Sequence, residues 1–209
     1  MFPVAAHATS YTDENAWRLA VSNVYALETF DAIPALSDVT TLPALHLRFL
    51  PLDDGTQPTV QPYSSTGGVV KSGPNNLLND RDYSLPGRGP INVTPLSASD
   101  FLFGLGLWNV GGDDQLRLTF YDANDNIIEQ VTSSISFGFF GIVNSAGAAR
   151  AQVDFIAGNG YAPTDDWQTA VRGTFIPDVP EPASWALIIA GFAVVGTALR
   201  RRCTHVSFV

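Results

Sequence analysis

The chain contains a single cysteine, Cys203, which excludes both a disulfide framework and a cysteine-rich zinc site. The low count leaves the redox compartment open, because an exported protein with a large enough core needs no disulfides. Basic residues are also scarce. Lys and Arg total 11 against 20 Asp and Glu, and three of the 11 are adjacent at Arg200, Arg201 and Arg202. Residues 9–181 therefore hold eight basic and 20 acidic side chains, a net of −12 that repels phosphate backbones and disfavours nucleic acid as a partner. Glutamate occurs four times and histidine three times, and no internal repeat is visible. What the chain does have is apolar bulk: 45% hydrophobic residues, 13 of them Phe, which is too much for an acidic disordered segment. At 209 residues one principal domain with its own core is the default.

Most of that bulk is arranged with a period of two. Leu45, Leu47 and Phe49 alternate with His46 and Arg48; Leu116, Leu118 and Phe120 alternate with Arg117, Thr119 and Tyr121; Ala151, Val153 and Phe155 alternate with Gln152 and Asp154. These are the patterns of half-buried strands. Residues 101–110 (FLFGLGLWNV) and 136–143 (SFGFFGIV) are apolar on both sides, as expected of strands covered on both faces. Residues 12–21 fit a short opening helix capped by Thr12 or Asp13. Turn-forming clusters at residues 53–55, 65–68, 86–90, 111–114 and 122–126 separate the strands. The expected fold is all-β, an antiparallel β-sandwich of jelly-roll-like type over residues 9–176.

The two ends carry different information. Residues 183–199 (ASWALIIAGFAVVGTAL) contain no charge and run directly into Arg200, Arg201 and Arg202. A spanning helix needs about 20 residues to cross roughly 30 Å of hydrocarbon, so these 17 are at the short limit for a transmembrane helix. The arginines would stop it and stay cytoplasmic in residues 200–209, leaving the N-terminal domain outside. Ala186, Ala190, Gly191 and Gly196 would let another helix approach closely. At the other end, residues 1–8 have the look of the remnant of a signal peptide: Ala6 and Ala8 flank His7 as a signal-peptidase site would before Thr9, without the basic and apolar regions of a whole signal, which favours a start upstream of Met1.

Pro180, Glu181 and Pro182 with Trp185, the apolar span and the arginines stand in one order. In that order they closely resemble the PEP-CTERM sorting signal of exported Gram-negative proteins. Two prolines keep residues 177–182 extended and deprive them of helical hydrogen bonds, which leaves the backbone accessible to a protease. The resemblance implies that an exosortase, a membrane-embedded cysteine protease-transpeptidase, recognises the tail and cuts near Pro180–Pro182, with this protein as substrate. One departure is the extension 203–209, past where such tails usually end. The same stretch also resembles the segment labelled ice-binding protein C-terminal domain, which implies nothing about ice binding by the remainder. The N-terminal domain resembles, more loosely, the β-sandwich ectodomains that precede such tails. That likeness rests on Glu28-Thr29-Phe30-Asp31, Ser72-Gly73-Pro74, the hairpin over residues 118–131, and Phe139-Phe140-Gly141-Ile142 with the strand up to Phe155.

Catalytic chemistry finds little support. With cleavage after Ala8, His46 is the one histidine left outside the membrane, and its place beside Arg48 suggests a solvent-facing strand position; no Gly-x-Ser-x-Gly accompanies it. Glycosidases need two carboxylates roughly 5–9.5 Å apart, and Glu14, Glu28, Glu129 and Glu181 form no such strand motif. The Asp pairs at 53/54, 113/114 and 165/166 fit solvated turns. Asp122, Asn124 and Asn126 have the alternate-oxygen spacing of a calcium loop, yet Ile127 and Ser133 stand where an EF-hand needs Gly and Glu, and a hairpin turn explains the same residues. No cofactor is expected beyond a structural calcium at those weak candidates. The expectation is an exported, non-enzymatic surface or extracellular-matrix protein, processed by an exosortase. The alternative is a glycan-binding module of the envelope or exopolysaccharide matrix, with Tyr63, Tyr83, Trp108, Tyr161 or Trp167 stacking on sugar rings.

Overall fold

A computed structural model describes residues 8–63, 70–80, 89–158 and 160–170. The chain divides into two compact units, Met1–Phe175 and Ile176–Val209, and all described residues lie in the first. They form two antiparallel sheets packed as a β-sandwich, as the alternating patterns predict. In chain order the elements are β1 (Ala8–Tyr11), α1 (Glu14–Ala20), β2 (Tyr25–Glu28), β3 (Thr41–Leu42), β4 (Leu47–Phe49), β5 (Thr59–Pro62), β6 (Asn75–Leu78), β7 (Ile91–Pro95), β8 (Leu102–Asn109), β9 (Gln115–Tyr121), β10 (Ile127–Thr132), β11 (Gly138–Ala148), β12 (Arg150–Ala157) and β13 (Thr164–Ala170). The first sheet runs β1-β11-β8-β13-β6-β5, with β2 also on β13; the second runs β10-β9-β12-β7-β4-β3.

The core between the sheets is built from the inward positions of these alternations. Leu116, Leu118 and Phe120 of β9, Ala151 and Val153 of β12, and Leu47 and Phe49 of β4 meet Leu105 and Leu107 of β8 and Phe140 and Ile142 of β11 in one cluster. Leu45 also belongs to it, although it lies in a single 3-10 turn, Pro43–Leu45, rather than in the strand its alternation suggests. His46 closes that turn with φ 55°, so it stands just ahead of β4 and not within it; it is exposed, as expected.

Strands β8 and β11 are apolar on both sides because a second cluster covers their outer face. Helix α1 starts at Asp13, whose Oδ1 accepts the Ala16 N–H at 2.7 Å, and it lays Trp17 on the sheet with Val21, Phe139 and Val143. The indole fits because the strands beneath it carry glycine. A Cβ on Gly141 would come within 2.8 Å of Trp17 Cδ1, and one on Gly106 within 3.2 Å of its Cε2. Trp17 Nε1 donates to the Ile142 carbonyl at 3.3 Å, which satisfies the one polar atom of a fully buried ring. The helix is then tied to β13 by Gln168, which donates to Glu14 Oε1 and accepts from Arg18 Nε, while Arg18 and Glu14 pair along the helix. Among the described residues no helix is long and apolar enough to cross a membrane, and the expected span 183–199 lies outside them.

Candidate functional site

The sequence-predicted sorting residues Pro180, Glu181, Pro182, Trp185, Arg200, Arg201 and Arg202 lie outside the described residues, as does Ala6. Ala8 opens β1 and stands opposite Asn144 of β11.

The calcium candidates come together as the turn of the β9–β10 hairpin. Asp122 Oδ1 accepts the backbone N–H of Asn124 at 2.8 Å and of Asn126 at 2.9 Å, and its Oδ2 accepts Asn126 Nδ2 at 2.9 Å. Asp125 takes the left-handed conformation that such a turn requires, φ 61°. The Asn126 side chain, followed by its backbone N–H, holds the Asp122 carboxyl below its ordinary range. The carboxylate of this trio is thus engaged in closing the hairpin. Among the described residues no group of three or more His, Cys, Asp or Glu is placed to hold a metal ion.

The Asp165/Asp166 pair departs from its expected place. The two residues lie in β13, not in a solvated turn, and are 0% and 6% exposed. Asp114, also expected in a solvated turn, is buried as well, whereas Asp54 does cap an exposed turn by accepting the Thr56 N–H and hydroxyl. The cause at β13 is a set of donors from a distant segment. Asp165 Oδ2 accepts the backbone N–H of Lys71 at 2.8 Å and of Ser72 at 3.0 Å, its Oδ1 accepts the Asp166 N–H at 2.7 Å, and Asp166 Oδ1 accepts the Ser72 hydroxyl. Burial outweighs these donors and pushes the Asp165 carboxyl up to about 7. Asp166 is also raised, first by burial, against the pull of the Ser72 hydroxyl. The same segment continues through a cis Gly73-Pro74 bond to Asn75, whose N–H donates to Asp31 Oδ1 at 3.1 Å and whose Nδ2 donates to the carbonyls of Phe30 and Ile33. Glu28 Oε1 in turn accepts the Phe30 N–H at 2.8 Å. The segments around Glu28–Asp31, Ser72–Pro74 and Asp165–Asp166 are therefore pinned together by buried and half-buried carboxylates and amides.

Above this centre lies an aromatic group that the sequence reading named only in part. Trp108 stands opposite Asp165 and Phe139 in the strand register, with the Lys71 ammonium 4.2 Å from its ring centroid and Phe137 4.8 Å away. Of the other proposed stacking residues, Trp167 is fully buried against Phe49 with its Nε1 donating to Thr164 Oγ1, so it is a core residue and unavailable to a ligand. Tyr63 is exposed, Tyr161 is partly buried, and Tyr83 lies outside the described residues.

A cavity of about 300 Å³ opens elsewhere on the sandwich, where the 3-10 turn and the ends of β2, β7 and β13 meet the start of β8. Its lining is mostly apolar and includes Phe101, Phe103 and Gly104, with His46, Asp100 and Thr169 as polar members, the Thr169 hydroxyl donating to the Leu45 carbonyl. No local pattern announces it, because its walls come from segments far apart in the chain.

Among solved structures, the chain is similar to the K2 cleaved adhesin domain of Lys-gingipain, at 12% identity over 71% of this chain and 100% of that one, TM-score 0.44. It is also similar to a DUF4465 family protein from Bacteroides caccae ATCC 43185, at 11% identity over 79% of this chain and 86% of that one, TM-score 0.34. Likenesses at this level carry nothing about ligand or activity. No curated protein matches the chain. A family model does match its C-terminal end, over the prolines, the apolar run and the arginines: this chain carries the PEP-CTERM protein-sorting motif, at residues 178–202.

Proposed function

We propose that the chain is an exported, non-enzymatic surface or extracellular-matrix protein, held transiently in the membrane by residues 183–199 and then processed by an exosortase. The observation that carries this reading is the sorting motif itself, at residues 178–202. The β-sandwich adds support, since three of its carboxylates are engaged in architecture: Asp165 and Asp166 with the segment at Lys71–Ser72, and Asp122 with its hairpin. In this reading Pro180 and Pro182 keep the cleavage segment extended, Glu181 and Trp185 complete the recognised sequence, and Arg200, Arg201 and Arg202 stop the span.

Cell fractionation tests it. With the gene expressed in its own cell, the wild-type β-sandwich should reach the surface or medium, and Pro182→Ala should shift most of it to the membrane fraction. Equal distribution of the two proteins would contradict processing at this motif.

A second reading, a glycan-binding module, is favoured by the cavity walled by Phe101 and Phe103, because an apolar concave site with a few polar groups is how small ligands are held.

A further inference from the structure

The cavity beside His46 has features that ordinary packing does not require. Its aromatic wall is held in place from behind. Gly147 of β11 has φ 82°, at a register irregularity between Val143 and Ala148, and a Cβ there would lie 2.5 Å from Phe101 Cβ and 3.2 Å from Phe103 Cε1. The absence of a side chain at 147 is what seats the two rings, yet Phe101 stays 49% exposed. That exposure leaves an apolar ring face beside the cavity for a ligand to cover.

The polar groups at the rim are fixed by their backbones and free at their side chains. The His46 N–H donates to the Pro43 carbonyl at 3.1 Å and its carbonyl accepts the Leu96 N–H at 2.8 Å, with the residue in the left-handed region. The Asp100 N–H donates to the Ser97 carbonyl at 3.1 Å. Among the described residues, neither the His46 imidazole nor the Asp100 carboxylate makes a hydrogen bond or ion pair. This contrasts with Arg18, Arg117, Arg150, Asp122 and Asp165, whose side chains are all engaged.

Aromatic rings on one wall with an uncommitted carboxylate and imidazole at the rim match one chemistry well. A pyranose presents an apolar C–H face for the rings and hydroxyls that donate to a carboxylate or exchange with an imidazole. The volume, about 300 Å³, is at the lower bound of ligand clefts, roughly 300–1,000 Å³, and suits one ring rather than a chain of them. Charge narrows the class further: Asp100 at the rim and the net −12 of residues 9–181 repel uronic acids and sulfated sugars. We propose that the cavity bounded by Phe101, Phe103, His46 and Asp100 binds a single neutral pyranose, the terminal residue of a glycan. The proposal rests on the glycan-binding reading and gives that reading its site.

The test uses the full chain in micelles of a detergent without a sugar head group. The probes are immobilised oligosaccharides ending in glucose, galactose, mannose or N-acetylglucosamine, with a glucuronate-terminated one as charged control and free methyl pyranosides as competitors. The wild type should bind at least one neutral terminus, be displaced by the matching methyl pyranoside and ignore the glucuronate. Phe101→Ala and the cavity-filling Ala44→Trp should each weaken binding roughly tenfold or more with an unchanged melting temperature, whereas Ile127→Ala, which alters an exposed apolar side chain of β10 away from the cavity, should leave it intact. Glycan binding that survives both cavity variants would overturn this site while leaving the glycan-binding reading in place. Failure of the folded wild type to bind any neutral probe would overturn both, and neither result touches the sorting reading.

Discussion

Part of the outer face of the first sheet, at β8 and β11, lies beneath α1, whereas among the described residues no helix lies on that of the second, and the side chains differ accordingly. Under the helix the strands present Gly106, Gly141, Phe139 and Val143 to Trp17, and the contact is apolar packing with one indole hydrogen bond. On the second sheet, amides, hydroxyls and charges pair across neighbouring strands. Tyr121 donates to Gln152 Oε1 at 3.0 Å, Gln152 Nε2 and Arg150 Nη1 both donate to Asn92 Oδ1, and Gln130 Nε2 donates to Thr119 Oγ1. Arg117 meets Asp154 at 3.1 Å, and the Arg150 guanidinium lies 3.8 Å from the Tyr121 ring centroid. The difference teaches that the same strand architecture holds its two outer faces by unlike means. One depends on a few irreplaceable shapes, the other on many exchangeable pairs.

Substitutions should separate the two faces, and the largest effect belongs to the covered one. Trp17→Ala empties a fully buried site and should cost about 3–5 kcal/mol in denaturant unfolding. Gly141→Ala places a methyl 2.8 Å from Trp17 Cδ1 and 3.0 Å from the Gly106 backbone, so it should cost about 1–3 kcal/mol. Combined with Trp17→Ala it should cost distinctly less than alone, because the clash and the cavity share one space. Additive costs would show that the indole and the glycine are independent.

Asp165 sits at the margin of this covered face and should write its burial into the pH dependence. Its carboxyl rises from an ordinary value of 3.8 to about 7 on folding, so the folded protein keeps a proton that the unfolded chain releases. Its contribution is therefore fully present below about pH 4 and is lost as pH rises through about 7. Thermal melts between pH 4 and 8 should show a fall of several degrees in the wild type that Asp165→Asn reduces. An identical slope in the two proteins would mean that Asp165 is ionised throughout. The smallest effect is expected on the second sheet, where Arg117→Ala breaks a partly exposed ion pair and should cost less than about 1 kcal/mol.

The legibility of the chain follows the same division. Where a strand has one wet face, alternation placed it correctly: β9 and β12 stand where Leu116, Leu118 and Phe120, and Ala151 and Val153, predicted them. Where both faces are dry, the unbroken run in β8 was legible as a doubly covered strand, although nothing local named Trp17 as the cover. Asp165 and Asp166 were misplaced because two adjacent aspartates form a turn signal, while the amides that bury them, at Lys71 and Ser72, are more than ninety residues away. The cavity was invisible for the same reason of distance, whereas the sorting motif was legible in full because it is a contiguous sequence.

That motif carries the central claim, and the mature C-terminus tests it most directly. Intact-mass measurement of the protein recovered from its own cell should give a chain that ends within residues 180–182 or carries a transferred group there, having lost residues 183–209. A mature chain that still ends at Val209 would contradict processing at the sorting motif.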